Sequence, residues 1–412
     1  ALPISQLAFS EASSFFYPSV GMSAVVSSMA KLPEWISFLK VRGSYTEVGS
    51  SFERFITRPS YQFNTASGSW NSTTIYPARN LKPEKTRSWE LGINSKWLNN
   101  RLSFDLTYYR SNTINQTFTA DLSISSGYSK AYIQSGSIRN EGIELALGYS
   151  DKWGAFSWDS NLTFSCNNNK IMKLTEGATN PMTGEPINKD NYDMGQLGNL
   201  DARVKLYKGG SIGDVYATHR IKRDGNGHIF VSQDGDIEIE SVDEFKLGSI
   251  LPKANMGWSN NFSYKGINLG VTLTARFGGI ALSGTQSVLD QYGVSQKTAD
   301  YRDAGGIAAN YGYIDTEKYF DTVKGYAAYY TYSATNIRLA ELNLSYTLPK
   351  EWFRDKLRMT VGLVGKNLWM IYCKAPFDPE ATASTQSNYY QSYDYFMQPT
   401  TRNIGFSVKL NF

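Results

Sequence analysis

Ile267-Asn268-Leu269-Gly270-Val271-Thr272-Leu273-Thr274-Ala275-Arg276-Phe277 is the stretch on which the fold turns. Ile267, Leu269, Val271, Leu273, Ala275 and Phe277 fall on one face, and Asn268, Gly270, Thr272, Thr274 and Arg276 fall on the other. Such alternation is what a strand shows when its two faces meet different surroundings. The run also exceeds the roughly five or six residues usual for soluble strands and reaches the length at which a tilted strand crosses a bilayer.

The pattern recurs in both directions. Leu102, Phe104, Leu106 and Tyr108 alternate with Ser103, Asp105 and Thr107, and Leu342, Leu344, Tyr346 and Leu348 alternate with Asn343, Ser345 and Thr347. At the end of the chain Ile404, Phe406, Val408, Leu410 and Phe412 alternate with Asn403, Gly405, Ser407, Lys409 and Asn411. Roughly eleven strands follow, near residues 12–28, 36–49, 86–98, 101–115, 132–152, 155–172, 250–265, 266–277, 334–348, 356–371 and 401–412.

Connections alternate between short and long. Short ones fall at Leu98 to Arg101, around Lys152 to Ala155, at Lys265-Gly266 and at Pro349 to Lys356. Long ones occupy residues 50–85, 116–131, 173–249, 278–333 and 372–400. Structureless loops of that size are rare in compact soluble domains, whereas outer-membrane barrels have short periplasmic turns and long extracellular loops. The expected fold is therefore all-β: a transmembrane antiparallel barrel wall. Counting back from a descending final strand puts residues 1–11 at the cell surface, as the start of an outer loop. A wall of about eleven strands leaves two unpaired edges, intolerable in hydrocarbon, so a second chain or a second copy must complete it.

Composition agrees. Aromatic residues are 14% of the chain, with 28 tyrosines, and charged residues are 19%. Aromatic excess suits girdles at two membrane interfaces, and lipid-out, polar-in alternation accounts for a mean hydropathy of -0.38. No run of apolar residues is long enough for a spanning helix. A formal charge of +4 without a basic cluster gives no case for nucleic acid. Cys166 and Cys373 read as isolated thiols, and Ala1 to Ser10 lack a secretion signal, which marks a fragment or processed product as the expectation.

Several ordered motifs resemble one family. The longest is Asn80-Leu81-Lys82-Pro83-Glu84-Lys85-Thr86-Arg87-Ser88-Trp89-Glu90-Leu91-Gly92, followed by Arg101-Leu102-Ser103-Phe104 and Tyr108-Tyr109-Arg110. With it go Phe16-Tyr17-Pro18-Ser19-Val20, Leu39-Lys40-Val41-Arg42-Gly43-Ser44-Tyr45, Asn140-Glu141-Gly142-Ile143-Glu144-Leu145, Asn336-Ile337-Arg338-Leu339, Gly365-Lys366-Asn367-Leu368 and Phe377-Asp378-Pro379-Glu380. Together they resemble the SusC/RagA family of TonB-dependent outer-membrane transporters of Bacteroidetes-like Gram-negative bacteria, over nearly the whole chain and in family order. The resemblance implies about half of a roughly 22-stranded barrel closed by a plug, the plug-bearing half being the missing partner. It also implies a SusD-like surface lipoprotein, energy from the TonB complex through the plug, and insertion by the barrel assembly machinery. A dimer of transporter–lipoprotein pairs is compatible with it.

Candidate functional residues are few. Phe406, Val408, Leu410 and the terminal Phe412 have the form of an assembly signal. Tyr389, Tyr390, Tyr393, Tyr395 and Phe396 crowd the last long loop, where they suit contact with substrate, contact with the lipoprotein, or a girdle or loop core. Arg223-Asp224-Gly225-Asn226-Gly227-His228, with Asp234, Gly235, Asp236 and Glu238, superficially suggests a calcium loop. Lys222 and His228 stand where ligands are needed, so hairpin turns between Val215 to Ile221 and His228 to Val231 are preferred and no metal or cofactor is expected. His219 and His228 read as solvated loop residues, and no nucleophile has an orienting partner, so an enzyme is not expected. Lumen-facing Asp105, Glu144 and Arg276 should pair with a plug or with neighbouring strands. The leading reading is active import of oligosaccharides or oligopeptides, against a passive porin or a secreted β-sandwich binding or adhesion module.

Overall fold

The computed structural model describes residues 16–50, 56, 61–71, 74–77, 82–122, 128–187, 189–354, 356–381 and 389–411. Eleven strands carry the alternation: β1 (Ser19–Val25), β2 (Ile36–Ser50), β3 (Glu84–Trp97), β4 (Leu102–Asp121), β5 (Lys130–Trp153), β6 (Phe156–Lys173), β7 (Ala254–Tyr264), β8 (Ile267–Phe277), β9 (Asn336–Thr347), β10 (Arg358–Cys373) and β11 (Asn403–Asn411). They form one sheet in chain order, each antiparallel to its neighbour, with Ile75–Tyr76 adding a short parallel pairing to β5.

Register keeps the two faces separate across the wall. Leu269, Leu344, Leu363 and Phe406 stand side by side on the apolar face. One residue further along, Gly270, Asn343, Val364 and Gly405 share the polar face. Many large apolar side chains on the first face are solvent-exposed, up to 81% for Phe406, which is the surface of a sheet that meets hydrocarbon. Turn chemistry holds the register at one end: Leu98, Asn99 and Asn100 all have positive φ, and Lys265 (φ 46) with Gly266 (φ 85) makes a two-residue hairpin turn. β1 and β11 are the edges, and no described strand pairs with the far side of either, so the sheet is open among the described residues.

The long connections depart from the expectation of structureless loops. Residues 116–121 and 130–131 are strand, because the β4–β5 ladder continues beyond a bulge at Asn115 to Asp121 and Lys130. The connections after β6, β8 and β10 fold together. Asn191–Gln196, Arg203–Tyr207, Asp214–Ile221 and Ile239–Ser249 form a four-stranded sheet, while Ile280–Ser283 is flanked by Thr331–Ser333 and Tyr393–Asp394. Helices α1 (Gly284–Gln291), α2 (Gln296–Asp303) and α3 (Thr316–Val323) complete the unit. A shared core of Leu197, Leu200, Val204, Val215, Leu282, Phe320, Val323, Tyr330 and Tyr393 draws on all three connections. No one of them has a stripe long enough to announce this core.

The hairpin expected between residues 215–221 and 228–231 is present in its tight turn, where the Gly227 amide donates to the Asp224 carbonyl at 3.0 Å, but not in its strand pairing. Asp214–Ile221 pairs instead with Ile239–Ser249, and residues 222–238 fold back as two tight turns bridged at Arg223–Ile229 and Val231–Ile237. The expectations for residues 1–11 and Phe412 lie outside the described residues.

The face assignment has a direct test in two adjacent substitutions. In the complete protein, Val271→Arg puts a charge on the apolar face and is expected to cost about 2–4 kcal/mol of folding free energy, against about 1 kcal/mol or less for Thr272→Arg. Heat-modifiable mobility of the membrane-inserted variants, followed by vesicle folding titrations, measures both.

Candidate functional site on the polar face

The polar face holds an open cavity of about 680 Å³ bordered by Arg42, Asp105, Thr107, Glu144, Asn255, Arg276 and Glu380. Two charged clusters stand at its margins, each joining residues far apart in the chain.

The first cluster depends on a glycine. Arg42 on β2 and Asp105 on β4 are separated by β3, and at the crossing point β3 carries Gly92. A Cβ there would lie 2.6 Å from Arg42 Nε, so only glycine lets the arginine lie across the strand. Arg42 Nη1 and Nη2 donate to the two Asp105 oxygens at 3.1 and 2.9 Å, and Nη2 also donates to Thr107 Oγ1 at 2.6 Å. Asn94 Nδ2 adds a bond to Asp105 at 2.8 Å. The expected partner for Asp105 is thus a neighbouring strand.

Arg338 on β9 organises the second cluster. Its guanidinium forms a two-point pair with Asp378, at 3.2 and 2.8 Å, and reaches Glu380 at 3.2 Å. The Arg338 and Asp378 side chains are 9% and 8% exposed. Asn336 Nδ2 donates to Glu380, and Thr400 Oγ1 donates to Asp378 at 2.6 Å, tying both ends of the last long connection to the wall. Burial acts to raise the Asp378 carboxyl, but bonds from Arg338, Thr400 and the Glu380 amide outweigh it and hold the group below its ordinary value.

Between the clusters the cavity offers unspent capacity. Arg276 donates to the Ile250 carbonyl at 2.9 Å, yet its buried Nε has no partner among the described residues. Glu144 is exposed, with no hydrogen bond or ion pair among the described residues. Towards the long connections, Tyr109 donates to Asn167, while Asn167 and Asn169 both donate to Asn140. Asn169 also accepts from the Ile212 amide at 2.9 Å, linking the wall to the folded loops.

The aromatic residues of the last connection separate. Tyr393 is 2% exposed, a core residue of the loop unit, and its hydroxyl donates to Asn199. Gly198 (φ +59) makes room for it, since a Cβ there would meet the hydroxyl at 2.0 Å. Tyr395 stacks on Tyr393 at 6.2 Å, and Phe396 meets Tyr395 edge-on at 5.2 Å. These two remain 48% and 55% exposed. Phe396 has φ 50, an unfavourable value for a bulky residue, and its amide donates to Thr285 Oγ1 at 2.6 Å. The side chains of Tyr389 and Tyr390 lie outside the described residues. Phe406, Val408 and Leu410 are exposed on the apolar face of edge strand β11.

Sequence reasoning missed how firmly His219 is held. Its Nδ1 lies 3.1 Å from Asp201, its ring stacks on Tyr326 at 5.4 Å, and Asp201 also accepts from the Ala327 amide at 2.6 Å. The group joins two long connections; Asp201 lies 18 residues from His219 and 126 from Ala327, separations that no motif spacing marks. In the acidic stretch near residue 230, Asp224 accepts from the Asn226 and His228 amides, Asp236 pairs with Lys318 and Glu238 pairs with Lys222. Those carboxylates serve turns and ion pairs, and no group of three potential metal ligands occurs among the described residues.

Comparison with known proteins gives a consistent result. The family model described as TonB dependent receptor-like, beta-barrel matches residues 5–236. TonB-dependent receptor P3 of Formosa agariphila is 26% identical over 355 residues, covering 82% of this chain and 35% of the relative. TonB-dependent receptor SusC of Bacteroides thetaiotaomicron is 23% identical over 327 residues, covering 76% of this chain and 31% of the relative. The chain therefore spans about a third of the length of these two curated relatives. In solved structures, a chain of the RagAB peptide importer in its open-open state superposes with a TM-score of 0.73 at 18% identity, covering 98% of this chain and 43% of that one.

Two outcomes follow from the Arg338 cluster. Arg338→Met strands a buried carboxylate and is expected to destabilise the anchored connection by about 3–5 kcal/mol, with most of the loss recovered when Asp378→Leu is added; limited proteolysis within residues 374–400 reads it. Because the folded Asp378 pKa lies below its ordinary value, its contribution is complete above about pH 4 and disappears as pH falls through the lower folded value. Hydrogen exchange at residues 374–381 should rise only under those acid conditions.

Proposed function

Because this chain belongs to the TonB dependent receptor-like β-barrel family, we propose that it is the barrel-wall portion of an outer-membrane active importer of oligosaccharides or oligopeptides. In this reading, β1–β11 cross the bilayer with the short turns in the periplasm and the folded long connections at the cell surface. The polar face lines the lumen. Partner strands close the wall on the free edges of β1 and β11, and the same missing half carries the plug and the TonB-contact segment.

The observation that carries the reading is the contrast between satisfied and unsatisfied charge on the polar face. Arg42 and Asp105 neutralise each other within the wall, whereas Glu144 lines the cavity and Arg276 borders it with a buried Nε, neither the Glu144 carboxylate nor that Nε having a hydrogen-bond partner among the described residues. Burial of an unmatched guanidinium nitrogen is costly, and a plug domain seated on this face would supply the partners that the wall does not, which supports the reading. Glu144 and Arg276 are assigned to that contact.

A SusD-like lipoprotein would seat on the folded loop unit. Tyr395 and Phe396 are assigned to substrate, because the strained backbone at Phe396 holds two aromatic rings outward. Phe406, Val408, Leu410 and Phe412 are assigned to recognition by the assembly machinery.

Uptake in cells tests the reading. Import of the cognate oligomer should stop when TonB is inactivated; uptake that persists and scales linearly with concentration would mean a passive pore. Mass spectrometry of chains co-purified in mild detergent should find a plug-bearing chain or segment and a lipoprotein. Tyr395→Ala with Phe396→Ala is expected to weaken apparent substrate affinity about two- to tenfold with surface abundance unchanged.

A further inference from the structure

The apolar face is not uniform. Across β8–β11, near the short turns, it opens into a groove of about 680 Å³ lined by Ile267, Leu344, Tyr346, Val361, Leu363 and Phe406. Register explains the depression, since the short Val361 stands directly between Tyr346 and Val408, next to the taller row of Leu344, Leu363 and Phe406.

The groove has a basic end. Lys265 occupies the first turn position between β7 and β8 at φ 46, where Asn, Asp or Gly is the usual choice, so the turn itself does not account for a lysine. Its ammonium lies 5.4 Å from the centroid of the outward-facing Tyr264 ring, which puts the charge on the same face as the groove. The Thr347 amide donates to the Gly266 carbonyl at 2.8 Å, bringing this turn against the next one. That next turn carries exposed Lys350, Arg354 and Lys356, with Glu351 as its described acid and Trp352 strongly exposed. None of these cations, nor Lys265, has a carboxylate partner among the described residues. A basic rim without a carboxylate partner among the described residues, at the end of an apolar groove, has the complementarity of one amphiphile: an acidic head on an acyl chain.

We propose that this groove is a binding site for an anionic glycerophospholipid of the periplasmic leaflet. The acyl chain lies over Val361 between Tyr346 and Phe406, and the phosphate is held by Lys265 and Lys350. The site sits on the outside of the wall, apart from the lumen and its substrate. It rests on the membrane-spanning reading of β1–β11 but not on active import, so a passive pore would leave it standing.

Native mass spectrometry of the complete transporter, released from nanodiscs of equimolar phosphatidylglycerol and phosphatidylethanolamine, tests it. Wild type should retain phosphatidylglycerol preferentially. Lys265→Gln should reduce that preference about fivefold, the effect of one interfacial charge, and Lys265→Gln with Lys350→Gln should abolish it. Lys265→Arg should keep it, whereas Val361→Phe, which fills the groove, should reduce retention of both lipids. Equal retention of the two lipids by wild type, or an unchanged preference in the folded double variant, overturns the proposal.

Discussion

Hydrocarbon offers a backbone amide no hydrogen-bond partner, and the organisation of this chain follows from that constraint. Every N–H and C=O within the membrane must find another strand, so β1 to β11 pair in simple chain order without a crossover. Once the ladder is continuous, period two does the rest. Side chains alternate between an apolar and a polar face, and a one-residue slip would exchange all of them at once. The polar row Gly270, Asn343, Val364 and Gly405 beside the apolar row Leu269, Leu344, Leu363 and Phe406 shows the register held over four strands.

The same constraint leaves the wall little freedom to carry chemistry, so specificity moves to places where water or protein replaces lipid. On the polar face, ion pairs are made across strands, and the absence of a side chain is as informative as its presence. Gly92 lets Arg42 reach Asp105; Asn336 and Arg338 tie Asp378 and Glu380 to the wall. The long connections, by contrast, behave as a soluble protein does, burying Leu200, Leu282, Phe320 and Tyr330 in a shared core. Asp201 and Tyr393 fasten that core by joining segments more than a hundred residues apart.

The wall was legible in the sequence because its signal is local. Alternation in Ile267–Phe277 depends only on adjacent residues, and turn residues such as Lys265-Gly266 mark where each strand ends. The loop unit was not legible for the opposite reason. Val215 belongs to a strand whose partner begins at Ile239, not at His228, and the choice is made by core contacts with residues around 282, 320 and 330. In the same way the ordered motifs around Arg42, Gly92 and Asp105, or Arg338 and Asp378, could be recognised as a set, yet no spacing rule says that they meet.

Tyr393 and Tyr395 show where residue type ceases to predict role. Both belong to one aromatic-rich run, and both have a hydroxyl that suits a wet surface. Tyr393 is drawn inward because Gly198 leaves a hole of its shape and Asn199 satisfies its hydroxyl, so its burial leaves no polar group unpaired. Stacking on that fixed ring orients Tyr395, and the bond from the Phe396 amide to Thr285 keeps the next backbone step in a conformation it would otherwise avoid. One buried tyrosine thus determines that its two neighbours face outward. The exposed pair is therefore a consequence of packing beneath it, and a surface so held keeps its shape before anything touches it.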